Sequence, residues 1–469
     1  MKISKTCWIL TIAIFFGLLA PTLVQDGMFL DGITYSAISN NMSNGIGDFW
    51  NPHYTKTLAN NFHGHPPLVF GIQSLLFKLL GGHIYTERIY TLLTAILTAI
   101  GMILCWQIHL KHNSLKKLSW LPILLWITIP INFWAYKNNL LENTLGVFTI
   151  FSIYFISKSF YEKRIIWILI SSIFIVMAFL SKGFVGLFPL ATPFFFILIF
   201  KPKPLYSSIL YYGIILFFTL FLFYTIAVLL PESGENIHSY LVTQVIPALN
   251  NKLEITTENR FSILLNLILE LTVPILLLLY VVVTKWRKNQ NFKFHHLRNS
   301  IYFLLIGVSA SLPLIITLKQ RSFYFVPSLP FYMLSIAFLI SPFLKEKLEK
   351  LTKGTIQLIK GISLISLSGV LFISIFNFGK FSRDEDKLRD IYTISNFIPK
   401  GTVISTTENL WNDWSLHAYM SRIGFLSLDC DEKNEYFLIE KGIKDNIQLK
   451  GFQDINLKLN QYIILKRRK

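Results

Sequence analysis

The chain has 469 residues, 53% of them hydrophobic and only 15% charged, with a mean hydropathy of +0.50. That balance excludes an ordinary soluble protein and makes lipid the expected solvent. The net charge of +18 would suit nucleic acid, but Lys and Arg sit in short clusters between apolar runs rather than along one soluble face. No nucleic-acid partner is therefore expected, and the clusters read as topology signals.

A spanning helix needs about 20 apolar residues. In chain order that rule predicts spans at 7–24, 89–110, 119–135, 140–157, 165–181, 184–200, 207–230, 261–284, 300–318, 323–341 and 357–378, about eleven in all. The first, behind Lys2 and Lys5, is too long for a signal-peptide core and reads as a retained signal anchor. Every second connection is basic: Lys111/Lys116/Lys117, Lys158/Lys163/Arg164, Lys201/Lys203, Lys285/Arg287/Lys288/Lys293/Arg298 and Lys345/Lys347/Lys350/Lys353. The positive-inside rule puts these and the N-terminus in the cytoplasm. Segments 25–88, 136–139, 231–260 and 319–322 then face outward, as does the tail. The expected organisation is a membrane domain over 1–378 and a soluble extracytoplasmic domain over 379–469.

Segment 25–88 has amphipathic stretches at 33–42 and 68–80, and a connection of this length is usually functional. The tail reads as a small α/β unit, with strands at 402–405, 424–428, 436–439 and 462–465 and a helix at 414–421. Trp411, Trp414, His417 and Tyr419 form either a carbohydrate-facing surface or the packing face of that helix. No internal repeat relates the two halves, unlike many transporter folds. Cys7, Cys105 and Cys430 are far apart, so neither a disulfide framework nor a structural zinc site is implied.

Ionisable residues near membrane depth are costly and therefore candidates for function. Asp31 follows the first span; it is a base or cation holder, or else a loop aspartate in water. His53, His63 and His65 lie in the same segment, the last two in His-Gly-His-Pro-Pro, where the prolines fix the backbone. Imidazoles can bind phosphate, shuttle protons or ligate metal. His63 and His65 are only weak metal candidates, because a His-x-His pair alone is common. Glu142 opens the fourth span and either serves a site or favours the helix dipole. Lys182 sits outward against the charge trend, in Ser181-Lys-Gly183, and Lys319, Arg321 and Tyr324 form a second outward group. Together they suit an anion such as a lipid phosphate, or simply anchor the chain in the headgroups.

The ordered set Asp31-Gly-Ile-Thr-Tyr35, His65-Pro-Pro-Leu68, Glu142, Ser181-Lys-Gly183 and Lys319-Gln-Arg-Ser-Phe-Tyr324-Phe-Val-Pro327-Ser-Leu-Pro330 resembles the polyprenyl-phosphate-dependent glycosyltransferases of the GT-C class. The branch is the one containing protein O-mannosyltransferases and aminoarabinose lipid A transferases. The resemblance runs from the first span to about residue 340. It implies an all-α polytopic membrane protein of GT-C type with a small C-terminal α/β extracytoplasmic domain, in a bacterial-type inner (plasma) membrane. It also implies inverting transfer of a sugar from an undecaprenyl phosphate carrier to a lipid (lipid A-like), protein or other cell-envelope acceptor. Asp31 takes the place of the family's base or acceptor-orienting aspartate. Lys182 and Arg321 match basic positions near donor phosphate, and Tyr35 and Tyr324 match aromatic positions lining the cavity, with His65 and Glu142 completing the substrate-binding set. No cofactor is certain; a divalent cation is an open expectation. Two departures stand out: the lipid A branch often has Asp-Glu where this chain has Asp31-Gly32, and a lysine where it has His65. The alternative from another class is a lipid-linked glycan transporter or flippase, which would need a pathway open alternately to both faces. A receptor with a ligand-binding tail is a third reading.

Overall fold

The computed structural model describes residues 2–111, 113–287, 296–442 and 451–468. Lys288 and Lys293 of the expected basic connections, and the side chain of Lys2, lie outside the described residues. The chain opens with α1 (Lys2–Leu23) and α2 (Leu30–Ser43), and continues through α3 (Leu68–Leu80), α4 (Tyr85–His109), α5 (Trp120–Ile127), α6 (Pro130–Lys137) and α7 (Leu141–Glu162). Then come α8 (Ile165–Lys182), a 3-10 segment Gly183–Ala191, α9 (Thr192–Phe200), α10 (Leu205–Leu229) and α11 (Pro231–Tyr240). A π-helical turn at Leu241–Val245 leads into α12 (Ile246–Leu249). Five more helices complete the membrane part: α13 (Ser262–Glu270), α14 (Thr272–Arg287), α15 (Leu297–Ser311), α16 (Leu329–Glu349) and α17 (Lys353–Asn377).

Among the described residues, eight helical runs are long and apolar enough to cross a membrane, or up to ten if α5 with α6 and α13 with α14 each make one bent span. The expected eleven is not reached by this count. The difference lies at Ile165–Phe200, which counts as one run of 36 residues where two spans were expected. Within it Gly183 takes φ +74° and the next turn doubles back, so that a Cβ at Gly186 would meet the Ala178 backbone at 2.5 Å. The bends elsewhere have equally local causes: Pro130 starts α6 where the chain turns by 79°, and a proline at a helix's first turn cannot continue the preceding ladder.

The basic connections gather at one end of the bundle. His109 at the end of α4 packs against Tyr161, Phe200 and Tyr302, Ser4 donates to the Lys117 carbonyl, and Lys345 reaches Ser114. The opposite end carries segment 25–88 and the tail. There α1 and α17 leave the bundle side by side: the Gly379 amide donates to the Val24 carbonyl and the Asp26 amide to the Lys380 carbonyl, at 3.1 and 2.8 Å.

The tail forms α18 (Glu385–Phe397), β1 (Val403–Thr406), α19 (Glu408–Trp411), α20 (Trp414–Gly424), β2 (Ser427–Asp429), β3 (Tyr436–Glu440), β4 (Phe452–Asp454) and β5 (Tyr462–Arg467). The sheet order is β2-β1-β3-β5-β4, with β1 parallel to β2 and β3 and β5 antiparallel to β3 and β4. The central β1 and β3 are almost wholly buried, as expected of parallel strands covered on both faces. One hydrophobic cluster joins Leu388, Leu416 and Ile464 of the tail to Ile38 and Phe70 of α2 and α3. The tail thus packs on the segment that carries Asp31. Of the aromatic group in the tail, Tyr419 and His417 are buried and His417 stacks edge-on against Trp411 at 4.8 Å, leaving Trp414 exposed. That is the packing face.

Candidate active site

Asp31 and Tyr35 stand one helical turn apart in the first turns of α2, so both side chains leave the same face. Gly32 is required here. A Cβ at that position would overlap the Asn138 carbonyl, and Asn138 Oδ1 also accepts from the Phe29 amide at 3.0 Å, so α2 is seated directly on the corner between α6 and α7. This explains why a glutamate cannot follow the aspartate in this chain.

From that corner α7 carries Glu142 inward, where it is 1% exposed. Its carboxylate receives the Lys182 ammonium from the end of α8, and the two side chains are 2% and 12% exposed. Lys182 also lies 4.5 Å from the Tyr324 ring centroid and 5.8 Å from that of Phe323. A buried carboxylate needs such a partner, so Glu142 does more than favour a dipole, and Lys182 is tied rather than free. Gly183 lets the chain turn at once through its positive φ, and its missing Cβ leaves room for Tyr240, whose hydroxyl reaches the Lys182 carbonyl at 3.4 Å.

A cavity of about 230 Å³ opens beside this pair. Its polar wall is His65, Lys182, Lys319 and Tyr324, and its apolar wall is formed by Phe184, Val185, Leu145 and residues of the α11–α12 segment with Leu314. Lys319 makes no ion pair among the described residues. Arg321 instead turns to Glu254 at 2.8 Å, both half exposed, and does not line the cavity. At the cavity wall the expected cation Arg321 is therefore replaced by Lys319, two positions before it, because Glu254 draws the Arg321 guanidinium away.

His65 lies on the cavity wall with Nε2 3.2 Å from the Tyr35 hydroxyl, while its Nδ1 is buried without a partner among the described residues. Burial and the positive charges of Lys182 and Lys319 push it down to about 3, so the ring is neutral near pH 7 and does not offer the fixed positive charge a lysine would. Asp31 is held above the usual carboxylate range, first by burial and then by Glu142, with Lys182, Lys319 and Arg321 opposing. Burial and the charge of Asp31 likewise raise Tyr35 well above its usual value. Asp31, Glu142, Lys182, Lys319 and Arg321 thus act on one another electrostatically. Asp26, by contrast, accepts from the Tyr392 hydroxyl and the Gly27 amide and is part of the tail junction. Among the described residues His63 Nε2 has no hydrogen-bond partner, and no three His, Cys, Asp or Glu side chains gather as metal ligands.

The set read from sequence is therefore brought to one place, apart from Arg321, which stands at its rim. Sequence reading misses the lid-like wall of Tyr240, Gln244, Val245, Ala248 and Leu249. The signal that could have found it is the π-helical turn, a device frequent at functional sites, but it leaves no mark in hydrophobic periodicity.

Residues 64–226 match the family model described as dolichyl-phosphate-mannose-protein mannosyltransferase. No curated protein sequence matches the chain. Among solved structures it is similar to ArnT from Cupriavidus metallidurans in the apo state, at TM-score 0.66 and 13% identity over 97% of this chain and 96% of that one. The same protein bound to undecaprenyl phosphate gives TM-score 0.64 and 14% identity over the same shares. The oligosaccharyltransferase of Archaeoglobus fulgidus in its apo form gives TM-score 0.55 and 10% identity over 94% of this chain and 70% of that one. The architecture of this chain, from its first helix to the sheet of its tail, is thus the GT-C glycosyltransferase fold in the arrangement seen in ArnT.

Proposed function

We propose that the protein is an integral-membrane glycosyltransferase that moves a sugar from a polyprenyl phosphate carrier to a lipid or other cell-envelope acceptor, with inversion at the anomeric carbon. The observation that carries this reading is the cavity in which Lys319, Lys182 and Tyr324 stand on one side and apolar side chains on the other, with Asp31 acting on the same charges. A phosphate suits the cationic wall, and an isoprenoid suits Phe184, Val185 and Leu314. Support also comes from the ArnT structure described as bound to undecaprenyl phosphate.

In the proposed reaction the acceptor hydroxyl gives its proton to an Asp31 carboxylate oxygen as its oxygen attacks the anomeric carbon. The bond from that carbon to the carrier phosphate breaks, and its electron pair leaves with the phosphate. Fixed cations aimed at the developing charge lower the barrier. Lys319 faces it directly; Lys182, tied to Glu142, contributes from a rigid position. A raised carboxylate pKa makes Asp31 the better base near neutral pH. By the positive-inside rule the reaction face, opposite the lysine-rich end, is the extracytoplasmic one.

The test is transfer of label from a panel of undecaprenyl-phosphate sugars to membrane lipids and proteins, using the purified full chain and Asp31→Asn side by side, with and without a chelator. Label should move only with the unmodified chain, naming both substrates, and the chelator arm decides divalent-cation dependence. If no carrier sugar is consumed and labelled carrier instead crosses to the other leaflet, the transporter reading replaces this one.

A further inference from the structure

A second cavity, of about 300 Å³, lies at the same end of the bundle and shares no lining residue with the first. It opens where α1 and α17 leave the bundle. Its walls are Thr22 in the last turn of α1 and Gly27 after it, Arg88 of α4, Trp134 and Lys137 of α6 with Asn138 just beyond, and Ser382, Arg383 and Asp384 of the linker before α18. An aromatic wall divides the two cavities: Trp134 stacks on Phe323 at 5.8 Å and 26°, and Phe323 in turn faces Lys182.

Its lining holds three cations against one carboxylate. Arg88 is buried and spent on the scaffold, donating to the Lys137 carbonyl at 2.6 Å and the Gly27 carbonyl at 2.5 Å. Behind it lie Asp26 and Glu87, which act on its charge. Asp384 accepts from Arg383 Nε at 3.1 Å and from the Tyr419 hydroxyl at 3.0 Å, so its charge is shared. Lys137 makes no ion pair among the described residues, and the cations acting on it are Arg88 and Arg383. Like charges converge on a concave polar space only at a cost, and an anion with several acceptor oxygens removes that cost.

We propose that this cavity binds the phosphate monoester of a lipid headgroup at the membrane boundary, held by Lys137 and Arg383 with Trp134 as the floor. The lipid source follows from position: the cavity sits between the exits of two helices long and apolar enough to span, α1 and α17, which is the depth of headgroups. α17 is 6% buried over its apolar window, so acyl chains have free access beside it. The site stands independently of the transfer reaction.

The experiment uses the full chain in uncharged detergent, with lysophosphatidic acid as probe, the zwitterionic lysophosphatidylcholine as control, and inorganic phosphate as a separate arm. Thermal shift and equilibrium binding are read for the unmodified chain, Lys137→Ala/Arg383→Ala and Lys319→Ala. Saturable binding of lysophosphatidic acid is expected, weakened at least about tenfold in the double variant, the loss of one to two charge-assisted contacts; Lys319→Ala, which removes a cation of the first cavity, is expected to keep the component that the double variant loses. Arg383→Ala alone, at an exposed linker position, is expected to weaken it about threefold, half of that loss on a logarithmic scale, and serves if the double variant does not fold. Equal binding by the unmodified and Arg383→Ala chains, or loss only in Lys319→Ala, overturns the proposal. Inorganic phosphate giving the same shift at the same concentration overturns the lipid source in favour of the free ion.

Discussion

In the proposed reaction Asp31 and Lys319 divide the work at the scale of single residues. Under the proposed reaction Asp31→Asn should leave the protein folded and inserted while lowering turnover by about 10²–10⁴-fold, the usual worth of a general base. Near-normal turnover in that variant would remove Asp31 from the mechanism. Lys319→Ala should weaken carrier binding by roughly tenfold, as expected for one hydrogen bond to a charged group, and Arg321→Ala, whose partner is the half-exposed Glu254, should change it little. Equal losses in both variants would show that the two cations share the donor. Lys182→Ala is a poorer probe because it strands Glu142 in a buried site, at a cost of about 3–5 kcal/mol.

His65 supplies the pH dependence. Its folded-state value, about 3, lies below the ordinary 6.5, so between these limits the unfolded chain binds the extra proton and the folded one does not. Stability therefore falls as pH drops from about 6.5 toward 3, by up to roughly 1.4 kcal/mol per pH unit from this group. In His65→Gln the melting temperature should decline less steeply over that window; an unchanged slope would assign the acid sensitivity to other groups. A bound phosphate would favour the protonated ring, so carrier binding should be accompanied by proton uptake.

Among the elements, α2 is the one on which the site depends most. Its seat on Asn138 leaves no space for a side chain at Gly32, and Gly32→Ala should cost about 1–3 kcal/mol, the usual penalty of overpacking, and reduce turnover by displacing Asp31. A variant as stable and active as the parent would show that the seat is soft. Most helices were legible in advance because an apolar run of spanning length has few other solutions. The closeness of Asp31, Tyr35, His65, Glu142, Lys182 and Tyr324 to one another was also legible, since charges at a membrane boundary need company, although only His65, Lys182 and Tyr324 of the six line the cavity. Four of the five strands of the tail declared themselves by short β-branched and aromatic runs bounded by turns; β4, only three residues long, did not, and neither did α18, whose mixed sequence carries Glu385 and Asp386 in the first turn and few apolar residues. The Glu142–Lys182 pairing and the division between Lys319 and Arg321 were hidden, because which neighbour turns inward depends on the local backbone and not on residue type.

For the whole molecule, the decisive contact is between the tail and segment 25–88. Arg422 of α20 pairs with Glu87 at 2.8 Å, the side chains 3% and 2% exposed, and donates to the Gly82 and His83 carbonyls. Removing one member of a buried pair costs about 3–5 kcal/mol, so Arg422→Ala should loosen the tail and expose the linker before α18 to protease, with turnover falling although no reacting group has changed. Full activity with a protease-sensitive tail would show that docking is dispensable to the site. Tyr419 completes this junction: its hydroxyl accepts from the Met28 amide at 3.1 Å and lies 3.0 Å from the Met28 carbonyl, just ahead of α2. These partners are 391 positions apart. During synthesis α1 enters the membrane and α2 follows it long before α20 has been translated, so the aspartate of the nascent chain waits in an unfinished setting. Under the proposed reaction, activity would switch on only when the sheet has folded and closed on Met28, and partly made copies would leave the carrier untouched.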